Sequence, residues 1–286
     1  MSPGAFPPTD VLDMPADPRL SALTDYHVHS PLCHHAKGWP IDFARRATEL
    51  GLAELGFADH NPMPEQFDAW RMGLEDLPRY LESVAEARAA FPGLPIRLGL
   101  ECDFIAGRES WIEQLAAIAE WDFFIGSVHY LPGADWAVDD PQYIARFRGT
   151  DIEEIWAAYW RAYEQAIRSR LFDFVAHPDL PKKFGFRPPG DLRRFYEPAI
   201  AALAETGTAF EINTAGLRKD CRELYPAREF LEMAHAAGVP LLINSDAHAV
   251  AELTAGFPEA VALARESGYT HTARFARRMR NLVPLP

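Results

Sequence analysis

Cysteine is scarce in this chain: Cys33, Cys102 and Cys221 are its three, an odd number and widely spaced. That excludes a disulfide framework and a CxxC pair, and it suits a reducing compartment. Basic residues are also few, with 28 Lys and Arg against 41 Asp and Glu, for a net charge of −13. A surface of that sign repels polyanions, so a broad nucleic-acid-binding face is excluded, while a local basic pocket is not. No apolar run approaches the length of a membrane span. The opening stretch MSPGAFPPTDVLDMPADP has neither the basic start nor the apolar centre of a signal peptide. No short repeat or low-complexity tract is visible. The expectation is a cytoplasmic protein with no membrane or nucleic-acid partner, and its oligomeric state is not written in the sequence.

What is present is enough apolar material for a large core, 48% of the chain, laid out in one recurring pattern. Residues 1–20, rich in Pro and Asp, are expected to form an irregular arm, and residues 21–286 one domain. Within that domain a short apolar strand, a polar turn and an amphipathic helix alternate. LTDYHVH precedes IDFARRATELG, LAELGFADH precedes LEDLPRYLESVAEARAAF, IRLGLECDF precedes ESWIEQLAAIAE, and FFIGSVHYL precedes DIEEIWAAYWRAYEQAIRSR. FDFVAHPDL then leads to a helix from about Asp191 to Glu205, TAFEINTAG to PAREFLEMAHAAG, and PLLINSDAH to VAELTAGFPEAVALARESG. Seven such units predict a parallel α/β barrel or a doubly wound sheet, and periodicity does not choose between them. Trp156, Tyr159, Trp160 and Tyr163 form an aromatic stripe at helical spacing, which is read as core.

Ligand-type residues gather where these strands end. His27 and His29, spaced to share one strand face, close the first strand, with His34 and His35 in the following loop. Asp59 and His60 end the second, Glu101 the third, His129 the fourth, His177 the fifth, and Asp246 and His248 the seventh. In parallel barrels this edge is where the βα loops converge and chemistry is done. A lone histidine there is more often a surface or capping residue, and Asp59, Asp179 or Asp246 alone would be read as a helix cap. The recurrence at one edge, and a carboxylate following the apolar RLGL, favour a multinuclear metal site. His235 on a helix and His271 in the tail stand outside the pattern. Cys33 and Cys102 flank donor positions and are read as small buried residues.

HxH, ADH, the glutamate after the third strand, SVH, AHPD and SDAH, in this order, resemble the polymerase and histidinol phosphatase (PHP) superfamily. HSPLCHHA, GLECDF, GSVHYL, AHPDLPKKFG and EINTAGLRK resemble its histidinol-phosphatase branch. The resemblance spans about residues 23–283. It implies a distorted (β/α)7 barrel holding three divalent metal ions, with zinc, manganese or iron all admissible. It further implies that His27, His29, Glu101 and Asp246 hold the first ion. Glu101 would bridge to a second, completed by His129 and His177, with His35, His60 and His248 on a third. His35 is preferred to His34 on its spacing from His29, and Asp59 is expected to orient a ligand histidine.

The reaction so implied is hydrolysis of L-histidinol phosphate to L-histidinol and phosphate, by in-line attack of a metal-bound hydroxide without a phosphoenzyme. A broad phosphoesterase acting on nucleotides or other small phosphates is the alternative. Lys183 and Arg218, on loops after strands, are candidates to bind the phosphate, with Arg71 a weaker one. Without the resemblance, Lys182 and Lys183 together read equally well as a solvated loop pair. Metal-bound water, Asp246 and His248 are candidates to handle the leaving-group proton, and the sequence does not choose among them. Glu65, Asp103 and Asp179 are available carboxylates for the imidazole-bearing amino alcohol, and the sequence does not rank them.

Overall fold

The structure, a computed structural model, describes residues 20–131 and 136–286. The expected arm lies outside the described residues except for Leu20, which opens a short 3-10 turn. Seven parallel strands follow in chain order: β1 (Thr24–Asp25), β2 (Glu54–His60), β3 (Ile96–Asp103), β4 (Phe123–Ser127), β5 (Phe174–Val175), β6 (Ala209–Asn213) and β7 (Leu241–Asn244). Each pairs with the next. The two outer strands meet beyond their ends, where His29 N–H donates to the Ala247 carbonyl at 3.0 Å and Ala247 N–H to the His27 carbonyl at 3.1 Å. These bonds flank a parallel bridge between Val28 and Ala247. The sheet is thus a distorted (β/α)7 barrel.

The helices are α1 (Pro40–Leu50), α2 (Leu77–Ala90), α3 (Glu109–Ala116), α4 (Ile144–Gly149), α5 (Ile152–Arg168), α6 (Arg193–Thr206), α7 (Arg228–Ala236) and α8 (Phe257–Glu266). Their limits follow local chemistry. Pro40 starts α1, the Asp42 carboxylate accepts the Trp39 N–H at 3.0 Å, and Gly51 ends the helix in the left-handed region. The last expected helix is shorter than its pattern: Val250–Glu252 forms a 3-10 turn, and Gly256 at φ 81° precedes α8.

Tyr26, Phe123 and Phe174 fill the barrel, with Tyr26 stacked on Phe123 at 5.1 Å. A Cβ at Gly99 would overlap the Phe123 ring, so this strand position needs glycine. The aromatic stripe of α5 is buried, as its spacing predicts. Two of its hydroxyls reach the end of β5, Tyr159 donating to the His177 carbonyl at 3.1 Å and Tyr163 to that of Ala176 at 2.9 Å.

The tail is not irregular. β8 (His271–Ala276) and β9 (Met279–Pro284) form an antiparallel hairpin across the end of the barrel where the strands begin. Ala273 and Phe275 join the interior cluster. Arg278 bonds Asp173 and the Leu171 carbonyl, and Arg274 bonds the Ala22 carbonyl. Among the described residues, no helix is long and apolar enough to cross a membrane.

Candidate metal centre

Glu101 stands at the middle of the opposite end. Its β3 backbone is paired on both sides, and its carboxylate is buried among the imidazoles that the other strand ends deliver. Oε2 lies 2.8 Å from His60 Nδ1, 3.4 Å from His27 Nε2 and 3.6 Å from His29 Nε2. Oε1 lies 3.0 Å from His177 Nε2 and 3.6 Å from His129 Nε2, and accepts a hydrogen bond from Ser127 Oγ at 2.7 Å. Asp246 Oδ1 is 3.3 Å from His29 Nε2 and 3.8 Å from His27 Nε2. His177 at φ 22° and Asp246 at φ 52° occupy backbone conformations uncommon for residues with a Cβ, and such positions concentrate at functional sites.

His35, His60 and His248 form a second group at the rim. The His35 ring centroid is 4.5 Å from that of His248 and 5.5 Å from that of His60. Its neighbour His34 is exposed, in the left-handed region at φ 65°, and lines the adjoining groove instead. Cys33 is buried beneath this group, its sulfur within 4.8 Å of donor atoms of His35 and His248. His60 belongs to two compact donor sets, one with His29 and His248 and one with Glu101 and His129, so it stands between the rim and the centre.

The donors fit a metal better than they fit each other. His27 Nε2, both ring nitrogens of His29, His177 Nδ1 and His248 Nε2 are buried with no hydrogen-bond partner, and His60 Nδ1 and Glu101 Oε2 approach to 2.8 Å without hydrogen-bond geometry. Each such orphan costs about 1–3 kcal/mol. Concentrating them in one place is tolerable only where a cation satisfies them together. Burial lowers the His60 ring to about 4 against the pull of Glu101, which leaves it a neutral imidazole, the ligating form.

The surroundings orient these ligands. Asp59 accepts hydrogen bonds from both the N–H and the hydroxyl of Ser30, and its other oxygen faces His29 Nδ1 at 3.5 Å. Asp103 accepts from His129 Nδ1 at 2.8 Å and from Arg71 at 2.7 Å. Burial opposes its ionisation, but His129 and Arg71 outweigh it and hold the carboxyl at about 2. Sequence reasoning missed Glu211, buried inside β6. Its two oxygens sit 3.1 Å from His27 Nδ1, and it accepts from His177 N–H at 3.0 Å and from the amides of Asn213 and Asn244. The available signal was a carboxylate within the apolar run TAFEIN, the same clue that singled out Glu101. Glu211→Gln should loosen the hold on His27 and lower metal affinity by about 10- to 100-fold. Metal retained per chain after dialysis against a graded chelator measures this, and unchanged retention would remove Glu211 from that role.

Several expected substrate contacts are corrected. Arg71 is buried and bonded to Asp68, Asp103 and Asn61, so it braces His129 rather than meeting phosphate. Asp103 is committed to the same brace. Asp179 bonds Lys182 and the Ala227 N–H away from the centre, and Lys182 is buried, not solvated. Glu65 is exposed and paired with Arg108. Lys183 and Arg218 do line the cavity of about 270 Å³ over the donors, together with Asp139 and Glu252. Arg218 is held by the Ser245 and Asp246 carbonyls through Nη2, and its Nη1 is buried and unpartnered.

Residues 25–215 match the PHP domain family. Over 251 residues the chain is 42% identical to a Deinococcus radiodurans protein named "Probable histidinol-phosphatase", covering 87% of this chain and 95% of that one. It is 28% identical to the histidinol-phosphatase of Bacillus subtilis, over 78% of this chain and 92% of the relative. The fold also superposes on the crystal structure of Lactococcus lactis histidinol phosphate phosphatase complexed with zinc, L-histidinol and phosphate. That match has a TM-score of 0.74 at 23% identity, covering 91% of this chain and 99% of the other. Strand order, the donors at the strand ends and these likenesses agree: the chain belongs to the PHP domain family.

Proposed function

We propose that the chain is a metal-dependent histidinol-phosphatase, converting L-histidinol phosphate and water to L-histidinol and phosphate. The observation that carries this reading is the buried carboxylate of Glu101 ringed by five imidazoles, with the open guanidinium nitrogen of Arg218 on the same cavity. The Deinococcus and Bacillus relatives, covered over nearly their whole length, support the substrate.

His27, His29, Glu101 and Asp246 would hold one ion, Glu101, His129 and His177 a second, and His35, His60 and His248 a third. Nitrogen-rich donors with a central carboxylate suit zinc, manganese or iron. Bound divalent ions supply Lewis acidity and neutralise charge developing on the phosphoryl oxygens. The chain's own groups do the rest. Arg218 Nη1 donates to a phosphate oxygen, its rotation fixed by the two carbonyls behind it. Lys183 lines the same cavity, its ammonium bonded to Asp139. A water oxygen bonds to phosphorus in line with the ester oxygen, the P–O ester bond breaks, and the proton shed by that water ends on the departing alkoxide beside Asp246 and His248, which stand 3.4 Å apart.

The test is phosphate release from L-histidinol phosphate, beside p-nitrophenyl phosphate and a nucleoside monophosphate, with bound metals counted. The expected result is strong preference for histidinol phosphate, lost on chelation and restored by zinc or manganese. Equal, slow turnover of all three would replace this reading with a broad phosphoesterase. Metal-loaded protein that turns over none of them would overturn it.

A further inference from the structure

A carboxylate left ionised beside a phosphate site repels every phosphate ester that does not bring its own cation. The cavity nevertheless carries two carboxylates outside the donor cluster, Asp139 and Glu252. Glu252 is committed: one oxygen accepts the His248 N–H at 2.8 Å, and the other faces Arg218 Nε at 3.5 Å. Asp139 is half committed. Its Oδ2 accepts from Lys183 Nζ at 3.1 Å, and the same ammonium bonds the Asp139 carbonyl at 2.5 Å. Among the described residues, Oδ1 has no hydrogen-bond partner.

This arrangement cancels the repulsion while keeping an acceptor open. Lys183 grips both the side chain and the backbone of Asp139, which fixes the carboxylate and offsets its charge toward the phosphate. A carboxylate pinned by one cation through one oxygen still accepts a second cation through the other. Histidinol phosphate carries such a cation, an ammonium on the carbon next to the ester carbon. Asp139 lines the same cavity as Glu101, His129 and His177.

We propose that Asp139 Oδ1 receives the substrate ammonium, so that Asp139 selects phosphate esters of 2-amino alcohols and Lys183 positions it. The assignment rests on the histidinol phosphate reading above. It takes the role that the sequence offered to Glu65, Asp103 and Asp179, none of which has an oxygen free over the donors.

The experiment compares L-histidinol phosphate with its desamino analogue, 3-(imidazol-4-yl)propyl phosphate, on metal-loaded wild type and Asp139→Asn. Wild type should prefer the amino substrate at least tenfold in kcat/KM, and the variant should lose at least tenfold of that preference. A preference ratio within twofold of wild type in a metal-loaded variant overturns the proposal alone. Wild type that hydrolyses other phosphate esters but not histidinol phosphate overturns the functional reading, and the proposal with it. Should Asp139→Asn not fold, inhibition of wild type by L-histidinol and by 3-(imidazol-4-yl)propanol decides. The amine should tighten inhibition at least tenfold, and equal inhibition overturns the assignment.

Discussion

Glu101→Gln is expected to lose bound metal and turnover together, with kcat/KM falling by on the order of 10³-fold or more. The substitution keeps size and one acceptor oxygen, so the core has no cavity to absorb. What changes is charge. Two anionic oxygens now serve five imidazoles, three on one oxygen and two on the other. Gln replaces one of them with an amide that points hydrogens at ring nitrogens needing a cation. Because the same group joins both halves of the cluster, the loss should appear in metal stoichiometry as well as in rate. Full metal content with wild-type turnover would mean that the histidines suffice, and that Glu101 is not the bridge.

Lys182→Met should cost about 3–5 kcal/mol of stability, because it breaks a buried pair by removing one partner. Lys182 Nζ bonds Asp179 Oδ2 at 3.0 Å and the Leu224 carbonyl at 2.7 Å, with its side chain 1% exposed. Burial already pushes Asp179 up to about 6 even with Lys182 beside it. A carboxyl raised on folding costs nothing where it is protonated in both states, below its ordinary value, and its full cost appears above the folded value. Without Lys182 that folded value rises further. The deficit in denaturant midpoint should therefore be larger at pH 8 than at pH 5. A deficit equal at both pH values would mean that Asp179 does not carry the charge.

How much was legible follows from what is local. Strand–turn–helix alternation is a short-range pattern, and it carried both the seven units and the placement of His27, His60, Glu101, His129, His177 and Asp246 at one edge. Asp103 shows the limit. Its position in the sequence is that of a free loop carboxylate, and only the fold reveals that Arg71, from 32 residues away, and His129 use up its oxygens. Lys182 and Lys183 are adjacent and alike in sequence, yet a 3-10 turn over Leu180–Phe184 buries one and turns the other to the cavity. Asp139 lies in an insertion without periodicity, so nothing local marked it. The hairpin carried no expectation, because what its arginines bond is distant in sequence. Their partners, Asp173 and the carbonyls of Ala22 and Leu171, are more than a hundred residues away.

The seam between His27–His29 and Ala247, with the hairpin below it, sets an order on synthesis. The first strand waits for backbone partners made some 220 residues later, and the floor under Tyr26, Phe123 and Phe174 arrives later still. At about 5–20 residues per second, a ribosome leaves that interior unsealed for on the order of ten seconds or more. A nascent chain can stack strands side by side as they emerge, but it cannot become a barrel until its closing pieces are out. Folding is therefore committed late, and the growing chain depends on holding its open edge apart from its neighbours until then.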